Sequence, residues 1–294
     1  MLLIPVRTFR GNTQEPCKPE MSALRSTNQK VFGNSGDDVV MERIEREREY
    51  FDELVVQGSA TRNILDRFSK AFYEKGVRGR LWAPVWQTFN LEGTVVLDYG
   101  CGAGDFSLLL ASRGAQVYGV DISPKLIEQA QASVAGSALN GCAPKFLVAD
   151  AHDTPFKDSS FDYVFGNGAL HHLDLSKAFP EIARVLKPGG KAVFQEPMYY
   201  HPALWLVRRL TSKVHTVDER PLLLSDLEQG REWFRVCRHR EHFFLAVFAA
   251  PVHLLGKEFA LSVIGGLDRF DGLLMRAFPA LRNLAWLTVM ELEK

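Results

Sequence analysis

The segment VVLDYGCGAGD (residues 95–105) joins an apolar stretch, typical of a buried β-strand, to a turn that contains three glycines. A helix-like sequence, DFSLLLASRG, begins at the end of this turn. Glycine adopts backbone conformations that other residues avoid, and it lets the backbone approach a ligand closely. The first N–H groups of a helix have no partner within the helix and can therefore bind such a ligand. The segment predicts a ligand-binding turn between a strand and a helix.

Strand-like and helix-like segments alternate on both sides of this turn. The predicted strands are TVVLDYG, AQVYGVDI, KFLVAD, FDYVFGNG and KAVFQEP, and the predicted helices between them are DFSLLLASRG, PKLIEQAQASVAG and SKAFPEIARVL. This alternation is typical of a parallel sheet with helices on its faces. Towards the carboxyl end, REWFRVCRHREHFF and LAWLTVMELEK indicate two further strands.

Changes in composition divide the chain into four parts. Residues 1–40 are rich in Pro, Gly, Asn and Ser and have no hydrophobic period, which predicts a disordered tail. Residues 41–90 predict a helical cap. Residues 91–200 contain the alternating core, and residues 201–294 are interpreted as a substrate-pocket segment followed by the last strands of the same domain.

Two helices are predicted within the cap, one in ERIEREREYFDELV and one over residues 63–75. The first has charges of both signs among apolar residues at helical spacing. Its charges are interpreted as a solvated face with weak internal pairs, such as Arg43 with Glu47.

The whole-chain composition argues against several classes of protein. Lys plus Arg number 35, as do Asp plus Glu, so the balanced charge disfavours dedicated nucleic-acid binding. The four cysteines form no C-x-x-C pair, which favours reduced thiols and a cytoplasmic location. The longest apolar run, residues 243–252, is shorter than the roughly 20 residues that cross a bilayer. The amino end also lacks the apolar length of a secretory signal.

Asp121, at the end of the second predicted strand, indicates which ligand the glycine turn binds. An acid at this position can accept hydrogen bonds from both hydroxyls of a ribose. The dinucleotide fingerprint G-x-G-x-x-G/A, counted from Gly100, requires a small residue where this chain has Asp105. A carboxylate there would repel a pyrophosphate. A nicotinamide-dependent oxidoreductase is therefore the weaker alternative.

The run LDYGCGAGD (residues 97–105) resembles the first motif of the class I S-adenosylmethionine-dependent methyltransferases, and the resemblance extends over residues 91–200. The subgroup that it most resembles shares the segment ALHHL (residues 169–173) and contains quinone, lipid and natural-product methylases. The resemblance implies an α/β fold: a Rossmann-like, doubly wound, mostly parallel seven-stranded sheet with a reversed last strand, an N-terminal helical cap and a C-terminal insertion.

The same resemblance implies S-adenosylmethionine as the cofactor and assigns residues to its site. They are Asp98, Gly100, Cys101, Gly102 and Gly104 around the methionine portion, Asp121 at the ribose, Ile122, Asp150 and Ala151 at the adenine, and Asn167 beneath the cofactor. Each residue also has a purely structural interpretation. Asp121, for example, could cap the helix that starts at Pro124. No metal site is predicted.

His171, His172 and Glu196 are the candidate catalytic residues. They follow strands four and five, and open α/β sheets bind their ligands at the carboxyl ends of the strands. Methyl transfer is an in-line displacement that depends chiefly on alignment, and it needs a base only when the acceptor arrives protonated. A histidine suits that role, and Glu196 could orient the ring. Alternatively, one histidine caps the helix near Asp174 and Glu196 is a solvated acid; the sequence does not choose between the two histidines.

The predicted acceptor is a small apolar or aromatic metabolite, methylated on oxygen or carbon. Aromatic and apolar residues after strand five suit such a substrate; they are Met198, Tyr199, Tyr200, His201 and Trp205.

Three alternatives stay open: a methylase of a membrane quinone or lipid, the oxidoreductase, and a binding module without activity. The first would use the apolar carboxyl third for peripheral membrane contact. The nearby basic residues Arg231, Arg235, Arg238, His239 and Arg240 could face anionic headgroups, but water is favoured. The oligomeric state is left open.

Overall fold

The protein forms a seven-stranded sheet with the strand order β3-β2-β1-β4-β5-β7-β6. The computed structural model describes residues 24–25, 35–57, 77–135, 142–210, 219–255 and 257–294. The strands are β1 (Val95–Tyr99), β2 (Gln116–Asp121), β3 (Lys145–Val148), β4 (Phe161–Asn167), β5 (Leu186–Pro197), β6 (Val236–His242) and β7 (Leu287–Glu293).

Most of the strand pairs are parallel. The exception is the last strand, β7, which runs in the reversed direction that the family resemblance implies. β1 pairs with β2 and β4, β2 with β3, and β4 with β5, all in parallel. β7 is antiparallel to both β5 and β6. The sheet order reverses at β1, which is where doubly wound sheets bind ligands. The expected fold class, including the reversed last strand, is confirmed.

Helices cover both faces of this sheet. They are α1 (Ser35–Gln57), α2 (Arg78–Thr88), α3 (Asp105–Ala111), α4 (Pro124–Ala135), α5 (Leu175–Val185), α6 (Pro202–Leu210), α7 (Leu224–Glu228) and α8 (Lys257–Ala277). A short 3₁₀ turn, Leu170–His172, lies between β4 and α5, and longer 3₁₀ segments, Ala246–Leu255 and Pro279–Leu284, flank α8.

Two apolar clusters, one on each face of the sheet, form the core. Val96 belongs to one cluster and Leu97 to the other, because neighbouring side chains of a strand point to opposite faces. Aromatic rings from α2, α3 and β4 fill the first cluster; the ring centroids of Trp82 and Phe106 are 4.6 Å apart, and those of Trp82 and Phe165 are 6.0 Å apart.

The amino-terminal part differs from its expected boundaries. Helix α1 begins at Ser35, so residues 35–40 are not part of a disordered tail. The remainder of the expected tail, apart from Leu24 and Arg25, lies outside the described residues, as does the helix predicted over residues 63–75.

The described cysteines are not all free thiols, and none of the described helices could span a membrane. Cys101 and Cys237 are free thiols, whereas Cys142 is in a disulfide, so the expectation of reduced thiols fails at Cys142. In the portion of the chain that the structure describes, no helix has both the length and the apolar character that crossing a bilayer requires.

Candidate active site

The glycine turn after β1 is built as its sequence indicates. Gly100, Gly102 and Gly104 have φ angles of +73°, +52° and +84°, which L side chains rarely adopt. A Cβ on Gly100 or Gly104 would lie within 3 Å of a neighbouring side chain, whereas a Cβ on Gly102 would have nothing within 4 Å. Gly100 and Gly104 therefore allow close packing, and Gly102 leaves open space above the backbone.

A cavity of about 300 Å³ opens over this turn. It lies at the carboxyl ends of β1, β2, β3 and β4, and helix α1 forms one wall. Of the residues assigned to the cofactor, seven line it: Gly100, Gly102, Asp121, Ile122, Asp150, Ala151 and Asn167. Its other residues include Arg43, Glu47 and Phe51 from α1, and Leu126, His152, His172 and Lys177.

Asp121 connects the glycine turn to the end of β2. Its Oδ2 accepts a hydrogen bond from the Gly102 N–H (2.8 Å) and its Oδ1 accepts one from the Ser123 N–H (3.0 Å). Burial raises the pKa of Asp121, and these hydrogen bonds with the nearby His172 only partly oppose the effect. Helix α4 is capped by Ser123, whose Oγ accepts from the Leu126 N–H (3.1 Å). Asp121 is therefore not the helix cap that the alternative interpretation made it.

Asp150 is held at the cavity wall by its neighbour His152. Its Oδ1 accepts hydrogen bonds from the backbone N–H (2.9 Å) and from Nδ1 (2.8 Å) of His152. Because Nε2 of His152 accepts from the Asp174 N–H (3.0 Å), the ring proton is on Nδ1. Burial raises the pKa of Asp150, but the bonds from His152 outweigh it and the pKa is lowered.

The two adjacent histidines have different surroundings. His171 is buried, and its Nδ1 lies 2.7 Å from Oε2 of Glu196, which is fully buried. Oε1 of Glu196 accepts hydrogen bonds from the Ala169 and Leu170 N–H groups (3.0 and 2.9 Å). Glu196 therefore fixes the loop after β4 and is not a solvated acid. Neither His171 nor Glu196 lines the cavity.

His172 lines the cavity and contacts helix α1. Its Nδ1 lies 3.2 Å from Oε2 of Glu47, its ring packs edge-to-face on Phe51, and its carbonyl oxygen accepts a hydrogen bond from Arg43 (2.6 Å). Burial lowers the pKa of His172, but the nearby carboxylates of Glu47, Glu219 and Glu196, with Glu47 contributing most, outweigh burial, so the pKa is raised. Helix α5 is capped by Asp174, which accepts from the Ser176 N–H, and not by a histidine.

The charged face of α1 is the main feature that the sequence interpretation missed. Arg43 and Glu47 were expected to pair with each other in water, yet both bind His172, and Glu47 is only 7% exposed. One signal was available: Glu47 falls on the same helical stripe as Ile44 and Phe51, at the i, i+3, i+7 spacing of a buried face.

Three residues assigned to the cofactor lie outside the cavity wall. Asp98 is buried beneath the turn and accepts a hydrogen bond from Ser107 Oγ (2.5 Å) of α3. Cys101 is also buried, and burial raises the pKa of its thiol. Gly104 packs on Ala130 of α4 and on Phe146. Their contacts within the described residues hold the turn in shape.

The predicted aromatic wall of the acceptor pocket does not face this cavity. Tyr199, Tyr200 and Trp205 are exposed at 44%, 50% and 52%. Met198 and His201 are buried elsewhere, the latter with Nε2 2.9 Å from the Phe244 carbonyl oxygen. The cavity is walled instead by α1 and by the loop after β4.

Comparison with known proteins finds relatives for the central part of the chain. Residues 97–194 match the family model described as a methyltransferase domain. The chain is 40% identical over 101 residues to an O-methyltransferase of Aspergillus sclerotiorum, and 38% identical over 120 residues to a demethylmenaquinone methyltransferase of Clavibacter sepedonicus. These matches cover 34% and 40% of this chain, and 38% and 46% of the relatives. The chain thus spans less than half the length of either relative.

A solved structure resembles a larger part of the chain. The magnesium protoporphyrin IX methyltransferase of Synechocystis superposes with a TM-score of 0.56, covering 86% of this chain and 99% of that one at 17% identity. At that identity the likeness concerns the fold alone. Sheet order, glycine turn and family match agree: residues 97–194 match a methyltransferase domain, and the chain has the fold of the class I S-adenosylmethionine-dependent enzymes.

Proposed function

We propose that this protein transfers a methyl group from S-adenosylmethionine to an oxygen or carbon of a small apolar or aromatic acceptor. The observation that carries the proposal is that a single cavity brings together the glycine turn, Asp121, Asp150 and His172. These groups come from four separate strand ends and loops. A structural role for each would not require them to share one cavity.

The residues present fit the cofactor. Gly102 leaves room for a ligand against the backbone, as its missing Cβ would meet nothing within 4 Å. Each oxygen of Asp121 accepts one backbone hydrogen bond and retains a second lone pair for a ribose hydroxyl. Oδ2 of Asp150 is left for an amino group, because both bonds from His152 end on Oδ1. Ile122 and Leu126 offer apolar contact to an adenine.

The charge of the cavity also suits this cofactor. Four carboxylates line it, those of Glu47, Asp121, Asp150 and Asp174, against the two cations Arg43 and Lys177, so the balance of charge favours a cation there. S-adenosylmethionine, when bound, supplies a methyl group on a positively charged sulfur. The protein then has to hold the acceptor in line with that methyl group and to exclude water.

His172 is proposed as the general base for an acceptor that arrives protonated. Its Nδ1 is directed to Glu47, so Nε2 is the nitrogen left for the acceptor. Glu47 would stabilise the imidazolium that forms when the proton moves to the ring. His171 and Glu196 are proposed as positioning residues, since they fix the loop that carries His172.

A second candidate function is methylation of a quinone in a membrane. The support is the resemblance to the demethylmenaquinone methyltransferase, together with a 40% identity over 100 residues to a tocopherol O-methyltransferase of Arabidopsis thaliana. Quinols and phenols both present an acidic hydroxyl or an activated ring carbon on an apolar molecule. Both acceptor classes therefore belong in the activity test.

Ligand-dependent stability tests the cofactor assignment. Thermal unfolding and calorimetric titration would be measured with S-adenosylmethionine and, separately, with NADH. A ligand that binds only the folded state stabilises it by about 2.7 kcal/mol at 100 times its Kd. We expect S-adenosylmethionine to stabilise the native protein and Asp121→Asn to lose most of this effect. The matched control is Asp105→Asn, because Asp105 is an exposed acid at the start of α3. This variant should retain the stabilisation by S-adenosylmethionine.

Three outcomes would contradict the proposal in different ways. Stabilisation by NADH instead of S-adenosylmethionine would favour an oxidoreductase. If neither S-adenosylmethionine nor NADH bound, the proposed cofactor site would be wrong. Acceptor quinols and phenols would also be incubated with the protein and S-adenosylmethionine. If the cofactor bound but no acceptor of either class were methylated, the protein would be a binding module and not an enzyme of this kind.

A further inference from the structure

Helix α8 carries a stripe of exposed apolar side chains. Phe259, Phe270 and Leu273 are 56%, 51% and 61% exposed, and Phe278, just after the helix, is 60% exposed. At 3.6 residues per turn, positions 259, 270 and 273 fall within a narrow arc of the helix surface. On this arc the small exposed residues Ser262 and Gly266 separate Phe259 from Phe270 and Leu273. Exposed apolar residues are ordinary when scattered, but several large ones that share one face of a helix mark a contact surface.

The charges of α8 are sorted around this stripe. Arg269 and Arg276 are exposed and border it on one side. The acidic residues between positions 259 and 277 are Asp268 and Asp271, and both face the protein. Asp268 pairs with His242 (3.2 Å), and Asp271 is fully buried and accepts hydrogen bonds from the Leu245 and Ala246 N–H groups. The outward face from Phe259 to Ala277 is therefore apolar and basic.

A basic cleft of about 470 Å³ lies beside the arginine side of the stripe. It is lined by residues of β6, α8 and the 3₁₀ segment after α8: His239, Arg240, Glu241, Gly272, Met275, Arg276, Pro279 and Arg282. Glu241, its acidic residue, is already bound by Arg282 (2.6 Å) and by Nδ1 of His239 (2.6 Å). Among the side chains that the structure describes, Arg240 and Arg276 have no ion pair.

The basic residues just before β6 differ from those of the cleft because they form ion pairs. Arg231 and Arg235, which the sequence grouped with Arg240, pair with Glu228 and Glu293. Their charge is therefore largely neutralised, whereas Arg240 and Arg276 of the cleft remain available to an anion.

We propose that α8 and the basic cleft form a surface that binds an anionic lipid bilayer, with the apolar stripe in the interfacial region and Arg240 and Arg276 facing lipid phosphates. An amphipathic helix with aromatic residues on one side and arginines at its border is the arrangement that binds in the plane of a bilayer. Arginine also suits phosphate, since its planar fork donates two parallel hydrogen bonds. A protein partner or a second copy would not need unpaired arginines along the apolar edge.

Vesicle co-sedimentation of the full chain, without any methyl donor, tests this surface. We expect binding to phosphatidylcholine vesicles that contain phosphatidylglycerol, weaker binding to phosphatidylcholine alone, and loss of the difference at high salt. Arg240→Gln and Arg276→Gln should each weaken binding to the anionic vesicles by about five-fold, corresponding to the ~1 kcal/mol that a basic residue contributes near such a surface. Lys157→Gln, an exposed charge before β4, is the matched control.

The apolar stripe is tested by the double substitution Phe270→Ser with Leu273→Ser. We expect at least about a ten-fold loss of binding to both vesicle types, because each side chain contributes apolar area to the bilayer contact. Val148→Ser, a 49% exposed residue of β3 at the opposite edge of the sheet, should bind like the native protein. Circular dichroism of all variants checks that they are folded.

Several results would overturn the proposal. One is the absence of vesicle binding by the native protein at low salt. Another is equal binding by the native protein and the stripe variant. A third is self-association in analytical ultracentrifugation that the stripe variant abolishes while no form binds vesicles, since a second copy would then cover α8. None of these results bears on the methyl-transfer cavity, so this proposal and the proposed function fail separately.

Discussion

His171 and His172 are identical side chains at consecutive positions, and their surroundings give them different chemistry. The ring of His171 is held by Glu196 inside the protein, while that of His172 lines the cavity and faces Glu47. The ring centroids of the two histidines are 4.1 Å apart, so they differ in the groups that each ring contacts and not in the direction in which the rings point. The sequence presents the pair as equivalent, and only the packing of β5 and α1 distinguishes them.

Substitution of Glu47 tests the role of His172 through the pH dependence of the rate. A base must be unprotonated to act, so the rate should rise with pH as His172 loses its proton, around a pKa that Glu47 holds above the usual value. Glu47→Gln removes the negative charge that favours the imidazolium, so the rising limb should shift to lower pH. The kcat of the variant at high pH should also fall.

The readout is the pH profile of kcat with a phenolic acceptor. Glu49→Gln, an exposed acid on the same helix, should leave the profile unchanged. A profile of Glu47→Gln identical to that of the native protein would rule out this coupling. The other charged groups near His172, which include Glu219, Glu196, Asp121 and Arg43, are unchanged in both variants.

At the scale of single residues, the glycine turn could be read from sequence and the Glu47 contact could not. The turn is local: its glycines, the apolar strand before it and the helix after it are contiguous, and backbone sterics require glycine at positive φ. Glu47 and His172 are far apart in the chain. Their contact depends on where α1 packs, which no local rule determines.

Helix α1 is the element whose role changes most between sequence and structure. Its alternating charges predict a solvated helix, and several of them are solvated. Three side chains on one side nevertheless form a wall of the cavity. Asp52 also attaches the helix to the start of α4, where its Oδ1 accepts hydrogen bonds from Ser123 Oγ (2.5 Å) and the Lys125 N–H (3.3 Å).

Asp52→Asn should loosen this attachment. The variant loses the negative charge that favours the N-terminal end of α4, and hydrogen bonds to a charged group are stronger than neutral ones. We expect faster amide hydrogen exchange in α1 and an increase of about ten-fold in the Kd for S-adenosylmethionine, equivalent to ~1.4 kcal/mol. Glu53→Gln, the exposed neighbouring acid, is the control. Unchanged exchange in α1 would show that other contacts hold the helix.

Elements of the sheet were predictable because their signals are strong and local. Apolar runs bounded by Gly, Pro and Asp predicted β1 to β5, and each is present. The reversed direction of β7 came from the family resemblance, and its position between β5 and β6 was not predicted. A strand pattern shows that a segment pairs, but the partner is chosen by tertiary packing.

For the molecule as a whole, β7 joins the parallel core to the carboxyl-terminal segment. Its residue Met290 is fully buried and lies opposite Phe194 of β5 and His239 of β6. Because β7 pairs on both sides, the cofactor core and the outermost strand β6 form one continuous sheet. We therefore expect the two to unfold together.

Met290→Ala should lower the free energy of unfolding by about 2–5 kcal/mol, the cost of truncating a buried methionine. Far-ultraviolet circular dichroism and tryptophan fluorescence should give a single, coincident transition in both the native and the variant protein. Glu291 is half-buried and its side chain points to the other face of the sheet. Glu291→Ala should therefore lower the free energy of unfolding much less. Two separate transitions would indicate that β6 and β7 melt independently of the core.

The wall formed by α1 has a kinetic consequence. Each catalytic cycle leaves a spent cofactor that must be exchanged for a fresh one, and α1 is attached to the rest of the protein by side chains, without a strand of its own in the sheet. Displacing this helix breaks side-chain contacts such as these and leaves the backbone pairing of the sheet intact. On the proposed function, the rates at which S-adenosylmethionine binds and leaves would therefore fall with solvent viscosity, because both depend on displacement of α1.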